Sequence, residues 1–194
     1  VGDQTHHYVR EILKRNGIAI KDVRLVQTGL QPERVAALRQ GLTVASILNR
    51  PNNLVLEKEG YKRLLDIEDL NIPAGVRCLI TTRKVLKAKP AMVENFVMAW
   101  LESIRFIFTQ KREAKQVISK YTLNTDDVQL EEAWQSLTAQ TEIPPYVSVS
   151  QLQGQTNMMA EDQPELTRFD AKQIVDNSVL KKLEDSGWIK KLFR

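Results

Sequence analysis

The chain is poor in the residues that most often carry chemistry. Of its 194 residues one is cysteine, Cys78, and two are histidine, His6 and His7. A single cysteine excludes an internal disulfide and any paired-cysteine metal motif. His6 and His7 are neighbours, so on a helix their side chains diverge by about 100° and are badly placed to chelate one metal. No third ligand stands at metal spacing. The eight glycines form no glycine-rich phosphate loop, and neither a GxSxG elbow nor an HExxH motif occurs. The carboxylates have no spacing that marks a catalytic dyad. No catalytic residue, metal ligand or cofactor is expected. No apolar run approaches the roughly 18 residues of a membrane-spanning helix. The chain shows no signal-peptide pattern.

Charge is nearly balanced. Lys and Arg number 28 against 24 Asp and Glu, a net charge of +4. The two signs are interleaved along the chain rather than gathered into a basic face, which argues against nucleic-acid binding. A hydrophobic fraction of 42% is enough to build a core, so the chain is not disordered.

What is present is centred on residues 30–51, LQPERVAALRQGLTVASILNRP. Pro32 suits a first helical turn, and Val35, Ala36 and Leu38 follow at helical spacing until Gly41 stops the helix. Thr43–Leu48 then reads as a short buried parallel strand. Asn49, Arg50 and Pro51 break it. Ligands of open α/β sheets sit beyond the carboxyl ends of strands, which makes Asn49, Arg50 and Pro51 candidate ligand contacts. Arg50 can pair with an anion through its planar fork, or it can be a solvated loop charge.

Before this unit, Val1-Gly2 reads as a strand end and Asp3, Gln4 and Thr5 as a polar turn. A helix over about His6–Asn16 follows, with Tyr8, Val9, Ile12 and Leu13 as its apolar stripe. Its first backbone N–H groups, at Asp3, Gln4, Thr5 and His6, can receive a carboxylate, sulfonate or phosphate, or can belong to an ordinary capped helix start. Asp22–Thr28 and Val76–Thr82 read as further strands, the latter burying Cys78. Thr81, Thr82 and Arg83 at its end are candidates for lining a hinge or the site, or are ordinary strand-end residues. A short helix is expected from about Asn53 to Lys58, and Pro73 and Gly75 punctuate the stretch after it.

From Lys84 onward the pattern is helical: Ala91–Thr109, Lys111–Tyr121, a helix capped by Asn124 or Thr125, one through Met158 and Met159, and one capped by Asn177 or Ser178. Pro164–Asp170 reads as a linker. Trp100, Trp134 and Trp188 are expected in the core. The expected fold class is therefore α/β, a short and mainly parallel sheet followed by a helix-rich half. The expected domains are an α/β lobe over 1–75 and a crossover strand with helices over 76–194.

The order of these pieces resembles a family. VGDQTHHYVREILKRNGI, DVRLVQTGLQPERVAALRQGLTVASILNRP, LEKEGYKRLLD, KAKPAMVENFVMAWLESIRF with REAKQVISKY, and DNSVLKKLEDSGWIKKLF together resemble the substrate-binding proteins of ABC importers in the nitrate, sulfonate and taurine group. That group includes binders of thiamine pyrimidine precursors. The resemblance implies a partial type II periplasmic-binding-protein-like fold that closes on a small anionic or heterocyclic solute. It implies a periplasmic or extracytoplasmic location and an ABC permease as partner. It also implies that the turn 2–6 faces the cleft.

Two departures follow. A further N-terminal segment, which supplies the first lobe's sheet and one wall of the cleft, is expected to be lacking. An acidic residue common before the strand's alanine is Val44 here. Other readings are a metabolite-sensing lobe, a self-associating remnant that forms a homo-oligomer, and an enzyme of the pyrimidine-synthesis type, which would need a cysteine-rich motif.

Overall fold

The computed structural model of the chain describes residues 4–70, 78–122 and 124–194. The expected α/β class is overturned. Among the described residues there are helices and irregular segments, and no strand or sheet. The expected strands at Asp22–Thr28 and Thr43–Leu48 contain no strand residue. Val23, Leu25 and Val26 are exposed, and Val44 is fully so. The physical reason is that β-branched content reflects fit to a sheet surface rather than a drive of the backbone, and stability comes from neighbouring strands. Of the third expected strand, residues 78–82 are irregular, and residues 76 and 77 lie outside the described residues, as do Pro73, Gly75 and the strand end at Val1-Gly2.

The chain divides into two units, Val1–Gly75 with Gln153–Phe169, and Val76–Leu152 with Asp170–Arg194. The first unit holds α1 (Gln4–Arg15), α2 (Gln31–Arg39) and α3 (Asn52–Lys58), with 3-10 turns at Ile20–Asp22, Glu68–Leu70 and Pro164–Arg168. The last of these stands where a plain linker was expected. α2 starts with Pro32 in its first turn and packs on α3. At its end Gly41 takes a φ of 67°, a left-handed conformation that stops a helix readily only with glycine. Among the described residues, Tyr8, Val35, Ala37 and Leu56 are the buried apolar side chains of this unit.

The second unit is a helical cluster of α4 (Arg83–Ala88), α5 (Pro90–Thr109), α6 (Lys111–Thr122), α7 (Asp127–Ala139), α9 (Ser178–Asp185) and α10 (Trp188–Leu192). α8 (Val149–Met159) carries the chain back to the first unit. α5 opens on Pro90, which loses nothing in a first turn, and then runs 20 residues. Its Val97, Leu101 and Ile104 form one core with Leu180, Leu183 and Ile189 of α9 and α10. Trp100 and Trp188 pack against that core. Each such side chain contributes about 1.5–3 kcal/mol by leaving water.

Polar contacts then fix the packing of the second unit. The Trp134 indole N–H donates to the Ile107 carbonyl at 2.8 Å, tying α7 to α5. Asn177 holds Val147 reciprocally, accepting from its N–H at 3.1 Å and donating to its carbonyl at 3.0 Å. No helix among the described residues is long and apolar enough to cross a membrane.

Candidate functional site

The first turn of α1 and the loop before α3 lie in the same unit, and one side chain gathers them. Arg34, on α2, donates through Nη2 to Thr5 Oγ1 at 3.2 Å, through Nη1 to the Ile47 carbonyl at 3.3 Å and through Nε to the Gly29 carbonyl at 3.0 Å. A guanidinium is suited to this because its donors form a rigid planar fork. Gln31, one turn earlier on α2, adds a fourth tie by accepting from the Asn49 backbone N–H at 3.0 Å. α2 therefore holds both stretches to which ligand contacts were assigned.

Gln4 donates to the Tyr8 hydroxyl at 2.5 Å, along the helix, so its amide is engaged with its own turn. Thr5 faces Arg34. His6 turns instead to Asp162, with Nε2 3.9 Å from Oδ2. Asp3 lies outside the described residues. Asn49 accepts from the backbone N–H of Asn52 at 2.9 Å, which starts α3, and Pro51 stands at the N-cap position of that helix. Arg50 is exposed, and its guanidinium has no hydrogen-bond or ionic partner among the described residues. Thr5 and the Ile47–Asn49 backbone are thus brought together, whereas His6 is drawn into a different cluster.

That cluster is one that the residue pattern did not reveal. The Asp162 carboxylate, after α8, receives the Arg10 guanidinium on Oδ1, and both His6 and His7 approach its Oδ2. His7 is 2% exposed, with Nδ1 3.4 Å from that oxygen. This geometry favours the tautomer with the proton on Nδ1. Nε2 is then a buried lone pair with no hydrogen-bond partner among the described residues. The two rings meet edge to face, their centroids 5.5 Å apart. A turn away, Lys14 Nζ lies 2.7 Å from Glu161 Oε1. That bond holds the Glu161 carboxyl below its ordinary range and raises the Lys14 ammonium above its own. Among the described residues no group of three His, Cys, Asp or Glu is arranged to hold a metal. Arg10, Arg34 and Asp162 were all missed. Asp162 and Arg10 stand near opposite ends of the chain, and nothing local in either stretch signals the other.

Other expectations are placed differently. Cys78, expected to be buried, is exposed. Thr82 caps α4, its Oγ1 accepting from the Val85 N–H at 3.2 Å, and Arg83 donates to the Gln173 carbonyl. The second unit has an open groove of about 620 Å³ along α6 and α7. Three of its four cations have carboxylate partners, Lys111 in Glu131 at 2.5 Å, Lys115 in Asp127 at 2.6 Å and Arg112 in Glu113 at 2.9 Å, while Lys120 lies over the Tyr121 ring. The first two pairs tie α6 to α7, as structural ion pairs do.

Among the described residues a helix start is thus tied by an arginine to a loop that carries an exposed cation. The model of the NMT1-like family matches residues 2–123, and the chain belongs to that family. It is thereby a relative of the substrate-binding proteins of ABC-type systems. No curated protein and no solved structure shows significant similarity to it.

Proposed function

We propose that this chain is the solute-binding component of an ABC import system. It acts outside the cytoplasm, hands its ligand to a permease and catalyses no reaction. The ligand is a small anionic or heterocyclic molecule. It lies against the first turn of α1 and the loop Asn49–Pro51, with Arg34 keeping the two in register and Arg50 supplying the charge. The observation that carries this reading is the triple hydrogen bonding of Arg34 to Thr5, Gly29 and Ile47. A guanidinium spent on three chain segments is a positioning device, and it leaves the exposed Arg50 as the free donor. The peptide dipoles of a helix start favour an anion as well.

The test is calorimetry and thermal shift against nitrate, sulfate, phosphate, taurine, a short alkanesulfonate and an aminopyrimidine. One of these raises the melting temperature, as a ligand selective for the native state must. Arg50→Gln then weakens that ligand by about tenfold to a hundredfold, the worth of a charge-assisted hydrogen bond. A panel without any melting shift, or equal affinity in Arg50→Gln, overturns the reading.

A further inference from the structure

The second unit holds a small cavity of about 260 Å³ between α5 (Pro90–Thr109) and α10 (Trp188–Leu192). Glu102 and Arg105 of α5 line it, with Trp188, Lys191 and Leu192 of α10. Helical spacing explains both sets. Residues three apart stand one turn from each other on one face, with Cβ atoms about 5–6 Å apart. Glu102 and Arg105 are related in this way, and so are Trp188 and Lys191. The core fixes the two helices against each other. Leu101 and Ile104 of α5 and Ile189 of α10 belong to one buried cluster, and Trp188 and Leu192 pack on it.

Three charges line this cavity, and they are of both signs. Glu102, Arg105 and Lys191 are exposed, and none of them has a hydrogen-bond or ionic partner among the described residues. Neighbouring charges are matched. Glu94 of α5 takes Lys182 of α9 at 2.6 Å, and Lys181 takes Asp185 at 3.3 Å. An unlike pair one turn apart on a helix commonly closes on itself, yet Glu102 and Arg105 do not. A simple anion entering here meets the Glu102 carboxylate, and a simple cation meets Arg105 and Lys191. A molecule that carries both charges satisfies all three.

We propose that this cavity binds a small zwitterion, a free amino acid with little or no side chain. Its carboxylate lies against the Arg105 guanidinium and the Lys191 ammonium, and its ammonium against the Glu102 carboxylate, as charge-assisted hydrogen bonds. The Trp188 ring is the apolar wall, and its face attracts the ammonium as well. The size agrees, because sites for drug-sized ligands run to about 300–1,000 Å³ and this cavity lies just below that range. The proposal is independent of the solute-binding reading, because the cavity and the candidate site lie in different units.

The experiment is calorimetric titration of the whole chain with glycine, β-alanine and 4-aminobutyrate, whose charges stand progressively farther apart. Acetate and methylammonium, with one charge each, are the controls. One zwitterion binds with a Kd of about 1 mM or tighter. It binds at least about tenfold tighter than either control, because each control lacks one charge-assisted contact. Glu102→Gln, Arg105→Gln and Lys191→Gln change exposed positions, where folding is seldom disturbed. Each weakens the zwitterion by about tenfold. Lys190→Gln, exposed and outside the cavity lining, leaves the affinity as it was. No binding by any of the three zwitterions overturns the proposal. So does acetate as tight as the best zwitterion, or a Glu102→Gln variant that loses no more affinity than Lys190→Gln.

Discussion

At the scale of single residues, Arg34 and Asp162 organise the first unit by spending one charged group on several partners. Replacing Arg34 by Gln leaves the carbonyls of Gly29 and Ile47 and the hydroxyl of Thr5 short of a donor. The expected loss is about 1–3 kcal/mol of stability, read by urea melts. It comes with weaker solute binding, because the helix start and the loop are no longer held together. Asp162→Asn acts differently. It removes the charge that Arg10, His6 and His7 share and leaves a half-buried guanidinium unmatched. About 1–3 kcal/mol is again expected, and the amide exchange of α1 should rise with it. If Asp162→Asn melts as the wild type does, the cluster is an incidental gathering of charges.

At the scale of elements, the helices owe their bounds to local chemistry and their persistence to packing. α7 starts where Asp126 Oδ1 accepts from the Gln129 N–H at 3.0 Å. Asp126→Ala should cost about 1 kcal/mol, measurable as a lowered denaturation midpoint. α5 depends far more on its neighbours. Leu101 is 0% exposed at the centre of the core with α9 and α10. Leu101→Ala should cost about 2–5 kcal/mol, the range for a buried leucine whose cavity only partly collapses. The contrast between a cap and a core leucine reflects the fact that helices in proteins are held mainly by their apolar faces.

At the scale of the whole molecule, pH should unsettle the chain from both ends. Glu131 is held below the ordinary carboxylate value by its bond to Lys111 and then by Lys115, Glu161 by Lys14, and Asp176 by Ser178. A carboxyl whose folded value is lowered stabilises the native state fully above its ordinary value, and that contribution is lost as pH falls through the lowered one. The melting temperature should therefore drop once the pH falls below the ordinary 4.5 of glutamate. At the alkaline end Tyr146 donates to the Glu184 carboxylate at 2.5 Å, which pushes its phenol up from 10.0 to about 12. The sign is now reversed. The native state keeps a proton that the unfolded chain gives up, so stability falls between those two values. Tyr146→Phe should flatten that alkaline slope in a series of melts.

The amino-acid sequence by itself determined the helices and the family. Prolines at helix starts, capping residues and the 3.6-residue rhythm are local signals. They placed α1, α2, α5, α6 and α9 within a few residues, because a helix satisfies its own backbone. The order of motifs over nearly the whole chain was enough for the resemblance to substrate-binding proteins of ABC importers, and the NMT1-like family matches its residues 2–123. What the residues around Val23 and Thr43 would become was not local. An extended segment is a strand only if another segment lies beside it, and among the described residues none does. Tertiary structure alone decided the grouping of Thr5, Arg34 and Ile47, the convergence of Arg10, His6 and His7 on Asp162, and the exposure of Cys78. Each depends on which distant segments meet, and that is settled by how the apolar faces pack.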